Sequence, residues 1–221
     1  MQGPSHLLVS WYYADASGVD SARDRRIVAW AGLAPDIDVL AYIVALAWYR
    51  LDQDLAFENI WRVVHHRYTH GLAFVLLTGV VAWAVASGRD RRWRVAWLAM
   101  LASAIHNFFD IVAGGPTWPV YPLWPVSDLG WSASWSWSIG EWPNLVILAL
   151  CFAGAFAYAK FTGRSPLECF GARADAWFVR VVREGSTAER GSGGVSRWII
   201  WAAVALIVAA VLAPLVLRPG G

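Results

Sequence analysis

Three stretches of this chain, Gly71–Ser87, Pro143–Ala159 and Trp198–Leu217, carry no charged residue and are long enough to cross a bilayer, or nearly so. A water-soluble domain could not hide them. Of 221 residues 58% are apolar and 15% charged, against roughly 45–50% and 25% in soluble domains. Two further stretches are apolar with a few polar interruptions. Val95–Ala113 is broken only by His106, Asn107 and Asp110, and Ile27–Tyr49 only by Asp36 and Asp38 beside Pro35. The expected fold is all-α: a polytopic transmembrane helix bundle with about five spanning helices plus a short N-terminal helix. His6–Ala14 is too short to span, and Pro4-Ser5 before it predicts a helix start with Ser5 as the N-cap. Ala14-Asp15-Ala16 has the small residues of a signal-peptidase site, but no Lys or Arg precedes His6, so cleavage is not expected. Cys151 and Cys169 are too few for a disulfide framework.

All but Lys160 of the 18 basic residues are Arg, and none lies between Arg94 and Lys160. Arg23, Arg25 and Arg26 precede the second apolar stretch, Arg89–Arg94 follow the third, and Lys160–Arg197 precede the last. The positive-inside rule places those three loops in the cytoplasm. Gly114–Trp142 and Arg50–His70 then lie outside, although Arg50, Arg62 and Arg67 count against that orientation. Trp118, Trp124, Trp131, Trp135, Trp137 and Trp142 suit a loop at the membrane–water interface. The arginines form no clustered basic face of a soluble module, so a nucleic-acid partner is not expected. Residues 1–161 form the expected membrane-embedded domain, 162–197 a cytoplasmic amphipathic and linker segment, and 198–221 a C-terminal transmembrane anchor. Within the middle segment, Ala172–Arg183 predicts a short helix on the inner leaflet, and Glu184–Gly194 reads as a linker. The sequence holds no sign of oligomeric state.

A charge at mid-bilayer costs about 2.5–3.5 kcal/mol even on lenient insertion scales, so Asp36, Asp38 and Asp110 need compensation. Four of the five His keep similar company. His66 and His70 are spaced i, i+4, as are His106 and Asp110, which puts each pair on one helix face, offset by about 40°. Two such pairs facing one another supply three imidazoles and a carboxylate, a donor set suited to zinc or another divalent transition metal. His6 joins them if His6–Ala14 and Ile27–Tyr49 form a hairpin turning near residue 21. His6 and Asp36 then both lie roughly 15 Å beyond the turn. On a regular helix Asp36 and Asp38 face apart, unless Pro35 breaks it. His65 reads as a spectator beside His66. The competing readings are an intramembrane proton or ion relay, or an Asp paired with Arg67.

The ordered set Ser5-His6-Leu7-Leu8, Pro35-Asp36-Ile37-Asp38, His66-Arg67-Tyr68-Thr69-His70-Gly71, His106-Asn107-Phe108-Phe109-Asp110 and Leu123-Trp124-Pro125 resembles the membrane-bound metal-dependent hydrolases. These are also called LexA-binding, inner-membrane-associated hydrolases. The chain departs from that pattern at Gly71, where Ser is usual, at Asn107, and in a longer connection before Leu123. The ligand order is also distantly similar to bacterial zinc-dependent phospholipase C, whose later His and His-x-x-x-Glu have no counterpart here. The resemblance implies a bacterial-type inner-membrane, multi-pass hydrolase, and the arginine distribution puts its site toward the extracytoplasmic side. His6, His66, His70, His106 and Asp110 would hold one or two divalent ions, most simply zinc, with Asp36 bridging or completing the set. Such an ion brings the pKa of water toward ~7. Asp38, or whichever of Asp36 and Asp38 is not a ligand, would accept the proton of the attacking water. Arg67 would either bind an anionic group such as phosphate or neutralise an intramembrane carboxylate. The expected partners are membrane lipids and a lipid or lipid-linked substrate cleaved at an ester or phosphoester. The alternatives are an ion or metal transporter, or a non-catalytic scaffold recruiting a partner through Gly163–Arg197.

Overall fold

The computed structural model describes residues 1–184; the expected anchor Trp198–Leu217 and most of the linker before it lie outside the described residues. The fold is all-α, and the single β-bridge among the described residues joins Val120 to Trp131. Helix α1 (Gly3–Ala16) begins three residues earlier than an N-cap at Ser5 predicted, with Gln2 as its N-cap. Pro4 sits in its first turn, where a missing N–H costs nothing, and Ser5 is buried on the helix instead of capping it. A tight turn leads to α2 (Ala22–Leu33), whose N-cap Ser21 accepts from the Asp24 amide. The two helices form the expected antiparallel hairpin. Gly32 makes it tight, since a Cβ there would lie 1.9 Å from Ser10 Oγ.

After α2 the chain narrows into a 3₁₀ turn over Ala34–Asp38, with Pro35 in its first turn, and resumes as α3 (Val39–Trp48). The turn changes where the two aspartates point. An α-helix separates i and i+2 by about 160°, whereas three residues per turn separate them by about 120°. Both can then reach the same side.

Short helices α4 (Gln53–Ala56) and α5 (Arg62–Val64) flank a π-helical turn over Phe57–Trp61. A loop carrying His65–His70 runs into α6 (Leu72–Val85), which pairs closely with α7 (Arg92–Ala113). Gly79 permits that approach, because a Cβ there would meet Met100 Cγ at 2.5 Å. Helix α7 also packs on α2. The shared core is built of small residues, among them Ala14, Ala31, Ala82, Ala99 and Ala102 with Val28 and Val95, as helices in lipid require for close contact. Large apolar side chains such as Trp48, Val80 and Trp97 face outward.

Three described segments are long and apolar enough to cross a membrane: Ala22–Trp48, Arg89–Ala113 and Trp142–Thr162. Leu72–Val85 is apolar but only about 21 Å long at 1.5 Å per residue.

The described chain divides into compact units between Asn144 and Leu145, within α8 (Trp142–Thr162). In the second unit a 3₁₀ turn, Pro166–Phe170, leads to the predicted amphipathic helix α9 (Ala172–Glu184). Its Phe178 packs on Ala155 and Ala159 of α8.

Candidate metal centre

Helix α7 carries His106 and Asp110 one turn apart on a single face. His106 lies about 21 Å from the Arg92 end and about 10 Å from Ala113. The site therefore sits at the end of the bundle opposite the arginine loops. The 3₁₀ turn brings Asp36 beside this face, and the loop before α6 brings His70. Asp36, His70, His106 and Asp110 each offer one donor atom, all within 4.8 Å of one another. His106 Nε2 lies 3.2 Å from His70 Nε2, 2.9 Å from Asp110 Oδ2 and 3.5 Å from Asp36 Oδ1. His70 Nε2 lies 3.4 Å from Asp110 Oδ2 and 3.9 Å from Asp36 Oδ1. A tetrahedral ion with bonds of about 2.0–2.1 Å sets its ligand atoms about 3.3–3.4 Å apart. The four donors already approximate that spacing.

The hydrogen bonds behind the rings say which nitrogens are free. His106 Nδ1 lies 2.7 Å from the Gly32 carbonyl, which only accepts. Nδ1 therefore carries the proton and Nε2 keeps its lone pair. Thr69 donates its hydroxyl proton to Asp38 Oδ2 at 2.8 Å, so its oxygen accepts from His70 Nδ1 at 3.2 Å. His70 Nε2 is then a lone pair too. Two imidazole lone pairs facing each other between carboxylates repel unless a cation or a proton lies between them. The residues fit a divalent metal ion. Burial holds the pKa of His70, and more strongly that of His66, below the ordinary 6.5, which keeps both rings neutral as ligands require.

The remaining candidates are placed differently. His6 Nε2 approaches Asp110 Oδ1 at 3.1 Å, and its ring stacks on His106 at 3.6 Å. It thus faces the carboxylate oxygen that also pairs with the Met1 amine, behind the four-donor group. His66 Nε2 is 3.9 Å from Asp110 Oδ2 while its Nδ1 is buried without a hydrogen-bond partner. Its backbone is left-handed, with φ 68°, a conformation that costs a non-glycine residue about 1–3 kcal/mol and clusters at functional sites. Asp38 accepts from His65 Nδ1 and Thr69 Oγ1. Arg67 pairs with Asp128 at 3.4 Å and lies over the Tyr121 ring. This ion pair joins it to a loop residue and not to an intramembrane carboxylate.

Sequence reasoning missed three contributors. His65 is buried against Asp38 and stacked on Trp61 at 4.1 Å; its only signal was the doubled histidine. Asn107 donates to the His70 carbonyl at 2.6 Å, anchoring the loop to α7. Trp118 lies beside both His65 and His66. Glycine at 71 also acquires a reason. A Cβ there would lie 2.7 Å from the Trp124 carbonyl, so the Trp-rich loop packs directly on the entry to α6.

No curated protein and no solved structure matches this chain. The model of the YdjM inner membrane protein family matches residues 1–218, nearly the whole sequence. That description names a membrane location and no chemistry. It agrees with the apolar helices and with the membrane part of the resemblance drawn from the motifs. The chain belongs to the YdjM inner membrane protein family.

Proposed function

We propose that this protein is a metal-dependent hydrolase of the membrane, acting on an ester or phosphoester of a lipid or lipid-linked substrate. The observation that carries the reading is the pair of facing Nε2 lone pairs of His70 and His106, 3.2 Å apart beside Asp110. Asp36, His70, His106 and Asp110 hold the ion, most simply zinc, with His6 supporting Asp110 from behind. When bound, the ion supplies Lewis-acid polarisation and a nucleophilic water near neutral pH. Asp36 is the most accessible of the four, with 24% of its side chain exposed against 4% or less for the others. Its neighbours Ile37, Val39 and Leu40 are exposed apolar residues, so the opening adjoins the lipid-facing surface. This favours a substrate arriving from the bilayer.

The sequence reading assigns proton acceptance to Asp38. Its oxygens already accept from His65 and Thr69, so we assign it instead to orienting those groups. Arg67, one-third exposed beside the Trp-rich loop, anchors an anionic substrate group. The arginine loops at the opposite end of α7 favour a site on the extracytoplasmic side.

The test is metal analysis of detergent-purified protein, followed by turnover on glycerophospholipids and polyprenyl phosphates. Wild type should carry stoichiometric divalent metal and release product, and His106→Ala should do neither. Absence of metal overturns the reading. Bound metal with no turnover, but with metal flux in proteoliposomes, replaces it with transport.

A further inference from the structure

Helix α9 turns its apolar side onto α8. Phe178, with Val179 and Val182, packs around Ala155 and Ala159. Asp175 accepts from the Ser165 amide and hydroxyl, both at 2.7 Å. Arg183 donates to the Ala159 carbonyl at 3.1 Å, one of the four that the end of α8 leaves open. The side that the sequence pattern assigns to the inner leaflet is therefore taken by α8. The opposite side carries Arg173, Trp177 and Arg180, spaced i, i+4, i+7. At 100° per residue they lie within about 60° of one another, and all three are exposed. Glu184 follows at the end of the same stripe, whereas Asp175 is already committed to Ser165.

The packing also fixes a depth. Trp142–Thr162 is one of the segments long and apolar enough to cross a membrane. Ala159 and Ala155 lie about 5 and 10 Å from its Thr162 end, so Phe178 holds α9 near the boundary between hydrocarbon and headgroups. Phe161 and Phe170, on the corner between the two helices, are exposed as well. We infer that Arg173, Trp177 and Arg180 form a docking surface for the anionic phospholipid headgroups of the leaflet at that end of α8. A guanidinium matches a phosphate with two parallel hydrogen bonds, and an indole between two such groups sits at headgroup level. The arginine distribution assigns this leaflet to the cytoplasm, whose membrane surface is the negative one. None of the three residues belongs to the metal centre.

The test is amide hydrogen exchange of the full chain in nanodiscs of phosphatidylcholine alone and of an equimolar mixture with phosphatidylglycerol. Each arginine near an anionic surface contributes about fivefold. Exchange over Ala172–Glu184 should therefore slow by up to about 25-fold in the anionic discs at low salt, and added salt should remove most of the difference. The double variant Arg173→Gln/Arg180→Gln should exchange alike in both discs. Both positions are exposed, so the helix should keep its packing on α8, and unchanged exchange over Trp142–Thr162 checks that. Equal exchange of wild-type α9 in the two discs overturns the proposal and leaves the stripe to a soluble partner. A difference that the double variant retains overturns it too.

Discussion

Two buried aspartates sit toward opposite ends of the same bundle, and they differ in everything except burial. Asp24, 0% exposed, accepts from the Ser87 amide at 2.9 Å and the Ser87 hydroxyl at 2.6 Å. Both partners donate to it, so this carboxylate is satisfied and closes the connection after α6 onto α2. Asp110, 3% exposed, turns Oδ2 toward Nε2 of His106 at 2.9 Å and of His70 at 3.4 Å. Those atoms hold lone pairs, because their rings have spent the Nδ1 proton elsewhere. A buried carboxylate is therefore no mark of function by itself. What distinguishes the two is whether the surrounding atoms donate to the carboxylate, or turn lone pairs toward the same space and can bind a cation.

The comparison breaks most readily on metal content. Asp110→Ala should weaken divalent metal by more than about 100-fold, since losing a ligand exceeds the roughly 10–100-fold cost of losing an outer-shell partner. Asp24→Ala should keep its metal and lose about 1–3 kcal/mol of stability, from Ser87 donors left unpaired. Elemental analysis and thermal unfolding on both variants check this; metal lost from Asp24→Ala would erase the distinction. Thr69→Ala should weaken metal about 10–100-fold by freeing the His70 ring, and Thr69→Ser should restore it. A metal isotherm indifferent to both would show that Thr69 does not orient His70.

The smallest expected effect concerns pH. Burial lowers the His66 and His70 pKa below 6.5 in the fold, so on acidification the unfolded chain takes up protons first. Apo-protein stability should then fall as pH drops from about 7 toward 5, and less steeply in His66→Gln. Asp24→Ala should keep the wild-type slope, because its loss does not involve these rings. Melting temperatures across that range decide it; a wild-type profile flat over the interval would exclude the titration.

The apolar runs and the i, i+4 pairs were legible in one dimension because helical periodicity converts spacing into shared faces. Hence α7 with His106 and Asp110, the α1–α2 hairpin and the amphipathic α9 were all foreseeable. Asp36 and Asp38 were legible as residues but not as a pair, because a 3₁₀ turn and not an α-helix sets their angle. His65 was illegible for a related reason. A loop has no period, and nothing local tells which of two adjacent histidines is buried. Asp24 was hidden among Arg23, Arg25 and Arg26, where a carboxylate reads as one more solvated charge.

What the sequence by itself determined is membership. Polar side chains in otherwise apolar segments are too costly to leave scattered in a bilayer, which marked out His6, Asp36, His66, His70, His106 and Asp110 as candidates for one group; the structure brings donor atoms of Asp36, His70, His106 and Asp110 within 4.8 Å of one another. What only the tertiary structure decided is where the protons sit. The acceptor that frees His106 Nε2 is a carbonyl 74 residues away on α2, and the one that frees His70 is tied to Asp38 on another segment. A tautomer is chosen by whichever oxygen packing brings within reach, and that choice turns a cluster of histidines into a site for a cation.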